Sequence, residues 1–477
     1  MPILGRAIIA VALCSFALML APRAASAQVT GDTGLGLPFS TLQPSLAMNY
    51  LIATTGIFPS RDGGAPPGKF LGEVTPFAGN FAPGGWALAN GQVLSISQNT
   101  ALFSLLGTTY GGNGITTFAL PDLRGRTVIN TGQGPGLSNQ FLGSPTGVSD
   151  VALNVSQLPA HNHSLPGGGV TGTTGGNQPF TNMQPSLPLN YFINELGIFP
   201  SRGDPGPTDF PFLGQLDLFA GNFNVGGAPN ASGQLLPINQ NTALFSILGS
   251  TYGGNGQTTF ALPDLRGRTA IGVGQGPGLS NRNLGDQLGQ ETTTLTVSQL
   301  PPHVHTLPGG GVTGITGGGA PVDNMQPSLA LHYIIATNGS FPLRDTDNPT
   351  EPMLGQMSLF AGNFAPSGWQ FADGQVISIA SNTALFSILG TTYGGNGLNN
   401  FMLPNLDGRT IIGAGQGPGL PDFSLGEIIG NESYSLTIVQ MADHHHALPV
   451  PEPTSILLAF AGAAGLLLIS RGHRRKS

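Results

Sequence analysis

One stretch occurs three times in the chain, and its spacing limits what the chain can fold into. Residues 99–126 read NTALFSLLGTTYGGNGITTFALPDLRGR, with close copies at 241–268 and 382–409, so successive copies stand 142 and 141 residues apart. Solenoid and propeller units repeat at about 20–50 residues. A period near 140 gives each copy enough chain for a small domain with its own core. The function has to lie in what one module does and in why three are joined.

The flanking words recur in the same order. FLGEVTPFAGNFAPGGW spans 70–86 and returns from Phe212 and Met353; QPSLAMNY and GIFPSR, at 43–50 and 56–61, return from Gln184 and Gln326. Gly- and Thr-rich linkers stand at 30–41, 167–176 and 309–319, which places the modules with their lead segments at 28–165, 166–307 and 308–448. Within a module, residues 74–77, 93–96, 127–130 and 151–155 read as short strands between Gly and Pro punctuation. Asn99 is placed to cap a helix through its side-chain oxygen. Ala101, Leu102, Leu105 and Leu106 share one helical face, and Gly107 stops the helix. Two turns of helix do not survive alone, so this one must pack on the strands. The expected fold is a β-rich α+β fold with one short helix per module and many Gly/Pro loops.

With 74 Gly and 40 Pro the chain approaches the composition of disordered segments, but 39% hydrophobic residues supply a core. Charged residues are only 8%, the net charge is −7, and Lys occurs only at 69 and 476. That excludes nucleic-acid binding, which relies on clustered cations against phosphate. The one cysteine, Cys14, lies in the leader described next. The mature protein then has no disulfide and relies on packing, hydrogen bonds, assembly or metal.

Residues 1–27 have the parts of a signal peptide: Arg6, an apolar run over 7–21 and an Ala25-Ser26-Ala27 cleavage site. At the other end, Pro451-Glu452-Pro453 precedes an apolar run over 456–469 and the basic residues Arg471, Arg474, Arg475 and Lys476. The run is short for a transmembrane span, which takes about 20 residues, and the basic tail holds this end on the cytoplasmic side. Residues 449–477 resemble the PEP-CTERM sorting signal of Gram-negative bacteria. The resemblance implies handling by an exosortase-type enzyme, transient passage through the inner membrane, and delivery to the cell surface or extracellular matrix. An ordinary single-pass anchor is the other reading. Both place the repeats outside the inner membrane.

The order FLGE, FAGNFAPGGW, NTALFSLLGTTYGG, FALPDLRGR, GQGPG, SQLPAHNH resembles the phage tail collar domain, as found in bacterial tail-fibre and microcystin-dependent proteins. The resemblance covers nearly the whole mature chain. It implies a β-rich module related to trimeric fibre tips that bind cell-surface glycans or lipopolysaccharide. It also implies a metal held through His-x-His pairs from three chains, and no catalytic activity.

Three such pairs occur here: His161/His163, His303/His305 and His444/His446, one per module. On extended chain, residues two apart point to the same face. Three pairs about a common axis therefore offer six imidazole nitrogens to an octahedral divalent ion such as Zn or Fe. With no open position the ion is structural rather than hydrolytic. Since one chain carries all three pairs, either it closes on itself as a monomeric pseudo-trimer or like modules pair in a homotrimer. The alternative is exposed or capping histidines without metal. Asp443 is a candidate to orient an imidazole of the third pair, whereas His445 reads as incidental and His332 as structural.

Other candidates weigh less. Asp122, Arg124 and Arg126, with Asp264, Arg266 and Arg268, resemble a binding or catalytic set, but the third module has Asn405, Asp407 and Arg409. A turn held by local hydrogen bonds tolerates that exchange better than a reaction centre does. Trp86 and Trp369 are either sugar-stacking or core residues; the second module has Ala228 there. The GQGPG loops lack the Lys of a phosphate cradle, and no nucleophile triad or glycosidase carboxylate pair is visible. The expected function is non-enzymatic: surface adhesion or polysaccharide binding, or a purely structural envelope role, with a glycan-processing enzyme the weakest alternative.

Overall fold

The computed structural model describes residues 28–61, 68–203, 211–346 and 352–449. Residues 1–27, read above as a signal peptide, and the segment beyond residue 449, read as a PEP-CTERM signal, lie outside the described residues. Among those described, no helix is long and apolar enough to cross a membrane.

The chain is β-rich, with three short helices among the described residues. Module 1 contributes strand β1 (Ser45–Ala53), β2 (Glu73–Phe77), helix α1 (Thr100–Leu106) and β3 (Thr127–Asn130). Module 2 contributes β4 (Ser186–Ile193), β5 (Gln215–Phe219), α2 (Thr242–Leu248) and β6 (Thr269–Gly272). Module 3 contributes β7 (Ser328–Ala336), β8 (Met357–Phe360), α3 (Thr383–Leu389) and β9 (Thr410–Gly413). These strands belong to one 13-stranded sheet.

The long strands β1, β4 and β7 grow from the QPSL words. Eight of the nine residues of β1 are buried, because a neighbour of each orientation flanks the strand and both faces pack. β1 pairs antiparallel with β2 of its own module, Asn49 facing Phe77. Its parallel partner is β9 of module 3, Ser45 facing Thr410. β3 pairs with β4 in the same way, and β6 with β7. Each module thus completes its sheet with a strand from the module before it, and module 1 takes that strand from module 3.

Side-chain packing follows the same exchange. The Phe219 ring of module 2 lies over Gly72 and Leu106 of module 1. Phe360 lies over Gly214 and Leu248, and Phe77 over Gly355 and Leu389. Gly72 has φ +80°, and a side chain there would also meet the Phe219 ring at 3.1 Å. Leu102, Leu105 and Leu106 of α1 are buried as expected, while Ala101 is exposed. The result is one apolar cluster containing residues of all three modules.

At the centre, the Thr127, Thr269 and Thr410 hydroxyls form a triangle with sides of 3.1, 3.1 and 3.0 Å. Beside it, Gln184 Oε1 accepts from Gln43 N, Gln326 Oε1 from Gln184 N, and Gln43 Oε1 from Gln326 N.

Two local expectations fail. Asn99 occupies the position before α1 but makes no capping bond. Its Nδ2 instead donates to Ser95 O at 3.0 Å, because a 3₁₀ turn at Ile96–Gln98 runs straight into the helix. Residues 151–155 form no continuous strand. Only Asp150–Val151 pairs, with Phe39–Ser40, and Val155–Gln157 is a 3₁₀ turn closed by a capping box between Asn154 and Gln157.

Candidate metal centre

Each histidine pair sits on extended chain just after that capped turn, which fixes where the chain enters. In module 1, His161 N–H donates to Thr174 O and Thr171 N–H donates to His163 O, both at 2.9 Å. The Gly- and Thr-rich linker is therefore no spacer; it folds back as the partner strand of the pair. Residues 312–316 do the same for His303 and His305. For His444 and His446 the partner comes from the opposite end of the chain: Thr30 N–H donates to His446 O, and Thr33 N–H to His444 O.

All six imidazoles turn inward and are at most 4% exposed. The residues between them, Asn162, Val304 and His445, point outward, as the alternation of extended chain requires. His445 pairs with Asp32 at 2.9 Å on the surface. Asp443 is exposed and orients nothing: His444 Nδ1 bonds Ala442 O instead.

Every Nδ1 has a backbone carbonyl partner. His161, His303 and His444 reach Pro159, Pro301 and Ala442 at 2.9–3.0 Å. His163, His305 and His446 reach Gly314, Gly31 and Gly172 of the linkers at 2.8–2.9 Å. A carbonyl only accepts, so each Nδ1 carries the proton and each Nε2 is left with a bare lone pair. Nε2 of His163, His303, His305 and His446 is buried without a hydrogen-bond partner. Nε2 of His161 and of His444 face each other at 3.2 Å. Two lone pairs at that distance repel unless a cation lies between them.

The rings pack edge-on, with neighbouring centroids 4.7–5.5 Å apart. The pairs left over, His161/His305, His163/His444 and His303/His446, stand opposite one another. Six vertices with three opposed pairs are an octahedron. Ligand atoms of His161, His163, His305 and His446 fall within 4.8 Å of each other, as do those of His161, His303, His305 and His444. Metal–nitrogen bonds of about 2.0–2.1 Å would place neighbouring octahedral nitrogens about 3 Å apart, close to the 3.2 Å between Nε2 of His161 and of His444. Burial lowers all six pKa values, His303 and His446 to about 3 and His444 to about 4. The imidazoles are therefore neutral and ready to ligate.

The linker carbonyls of Gly31, Gly172 and Gly314 are functional groups that the sequence reading missed. A signal for them exists: Val-Thr-Gly-x-Thr-Gly recurs at 29–34, 170–175 and 312–317. The first copy lies so far from the histidines it serves that spacing does not connect them.

The remaining candidates lie outside the cluster. Asp122 takes Arg124 Nε and Nη2 at 2.9 and 2.8 Å, and Asp264 does the same with Arg266. In module 3, Asn405 Oδ1 instead accepts from Asp407 N and Arg409 Nη1. Trp86 and Trp369 are each only 6% exposed and belong to the core, out of reach of a sugar. His332 stacks on Phe371 at 4.3 Å.

The molecule is thus a β-rich protein of three tandem modules with a buried histidine cluster able to hold a metal ion. The family model described as Phage Tail Collar Domain matches residues 72–128, 214–270 and 355–411, so the chain carries three tandem collar domains. No curated protein and no solved structure matches it.

Proposed function

We propose that this chain is a fibre-tip-like adhesion or structural protein in which one polypeptide does the work of a trimer. Where its three collar modules close, His161, His163, His303, His305, His444 and His446 would together hold a single divalent ion, Zn or Fe. The observation that carries the reading is the orientation of the imidazoles: every Nδ1 is spent on a carbonyl and every Nε2 faces the cluster. No position is left for a reacting water, so the ion would fix the closure and the protein is non-enzymatic. Joined in one chain, the modules are at high effective concentration, so closure within the chain outcompetes pairing between chains. The exchanged strands and the threonine triangle support closure within one chain.

The leader and the sorting signal support export to the surface or matrix of a Gram-negative bacterium, with an exosortase-type enzyme as processing partner. There the protein binds extracellular polysaccharide or lipopolysaccharide. Light scattering of the purified protein, with metal analysis on the same peak, tests the closure. A monomer with one ion is expected; a stable homotrimer refutes it. A glycan array tests the ligand class, and an array without binding leaves a purely structural matrix role.

A further inference from the structure

The modules meet at three junctions of the same design but different filling. At each, the turn after the FALP word (FMLP in module 3) lies against the last sheet strand of the preceding module. Arg266 bridges to Asn130, Asp407 to Gly272, and Arg124 to Gly413. The last of these joins module 1 to module 3.

Between modules 2 and 1 the space is filled with polar groups. Asn190 Oδ1 accepts from the Thr131 hydroxyl and from Asn230 Nδ2, and Asn130 Nδ2 donates to Asn230 Oδ1 at 2.8 Å. Between modules 3 and 2, His332 stands at the asparagine position and the Phe371 ring covers it. Between modules 1 and 3 the asparagine is present as Asn49, but Ala414 stands for Thr131, Leu88 for Asn230 and Gly413 for Asn130. Small and apolar residues at those places leave a crevice of about 330 Å³, lined among others by Asn49, Leu88, Asn90, Arg124, Ala414 and Phe423. That is the size of a small ligand pocket.

Its asparagine oxygen lacks the donors that its counterpart Asn190 Oδ1 has. Asn49 Nδ2 donates to Gly79 O at 2.8 Å, as Asn190 does to Gly221 O. That bond turns Asn49 Oδ1 the way of Asn190 Oδ1, yet among the described residues no donor reaches it. Arg124 gives Nε and Nη2 to Asp122, which neutralises its charge and leaves Nη1 for an acceptor. The same junction also lacks a clamp. Glu291 accepts from Ser138, and Glu432 from Ser280 and Arg282. The residues at these places here are Ser149, which offers no carboxylate, and Pro421, which offers no N–H.

We propose that this crevice binds a small, neutral, polyhydroxylated molecule, a single sugar ring. Hydroxyls donate and accept from adjacent atoms, which meets Asn49 Oδ1 with a donor and Arg124 Nη1 with an acceptor. The ring's C–H face rests on Leu88, Ala414 and Phe423. The sugar's hydroxyls take the place at Asn49 Oδ1 that Thr131 and Asn230 hold at Asn190 Oδ1 in the neighbouring junction. The site rests on the closure proposed above, because it exists only where module 1 packs on module 3.

The test is calorimetric titration of the purified protein with glucose, galactose, mannose and N-acetylglucosamine at millimolar concentrations. Two variants refill the crevice: Leu88→Asn with Ala414→Thr, as between modules 2 and 1, and Leu88→Phe, as between modules 3 and 2. At least one sugar is expected to bind, and each variant to weaken it about tenfold or more. Chemical-shift changes in the unaltered protein are expected at Asn49, Asn90 and Arg124. No binding, unchanged binding in the variants, or shifts confined elsewhere overturns the proposal. Solution mass on the same sample separates the two failures: a trimer refutes closure, whereas a monomer that binds no sugar overturns the crevice alone.

Discussion

The threonine triangle makes closure measurable as a stability. Thr127, Thr269 and Thr410 are at most 1% exposed, and each hydroxyl touches the other two at 3.0–3.1 Å. In a closed ring of three hydroxyls each donates once and accepts once. Thr410→Val keeps the shape but removes two of the three bonds. A neutral hydrogen bond contributes about 1 kcal/mol net, so the single variant should lose about 2 kcal/mol. It also leaves a buried donor without an acceptor. Replacing all three by valine removes that mismatch, and apolar replacement of every partner is nearly neutral. The triple variant should therefore be no less stable than the single one. Additive behaviour would put it near 6 kcal/mol, the sum of three independent losses. Equilibrium denaturant unfolding of the single, double and triple variants gives the coupling directly. Additive losses would show that the three hydroxyls never meet, and the exchanged-strand arrangement would fall with them.

Acid should destabilise the metal-free protein. The cluster imidazoles have folded pKa values below the unfolded value of about 6.5, so protons favour the unfolded chain. Stability should be greatest above pH 6.5 and fall as pH drops toward the folded values of about 3 to 4; each differing imidazole contributes about 1.4 kcal/mol per pH unit in that window. Thermal melts across pH check this, and a flat profile contradicts it. Glu432→Ala removes the acceptor of Ser280 N–H, Ser280 hydroxyl and Arg282, and should cost about 2 kcal/mol in denaturant unfolding. Gly112→Ala places a Cβ 2.3 Å from Phe118 Cα at φ +91° and should prevent folding of the first module. Gly107→Ala meets open space, but its backbone at φ +55°, ψ −137° suits glycine alone, so it should cost about 1–3 kcal/mol; circular dichroism and melting temperature separate the two.

The sequence was most legible where the physics is local. The short strands Glu73–Phe77 and Thr127–Asn130, the helix and its Leu102, Leu105 and Leu106 face follow from residue periodicity and punctuation. The histidine pairs were legible too, because the alternation of extended chain sends His161 and His163 to one side whatever lies beyond. The exchange of strands between modules was not. β1 looks the same in sequence whether its parallel partner is its own module's strand or that of module 3, since pairing depends on packing across some 360 residues. The capping bond of Asn99 failed because a competing local acceptor, Ser95 O, lies one turn back. The second half of the 151–155 run failed because its capping box shapes the turn that leads into the histidines.

The account stands or falls on one coordination sphere. X-ray absorption at the edge of the bound metal, on protein shown to be monomeric, reads that sphere directly. One ion per chain with a shell of six nitrogens at a single distance is the predicted result. A monomer without bound metal, or a shell completed by oxygen or fewer nitrogens, would contradict it.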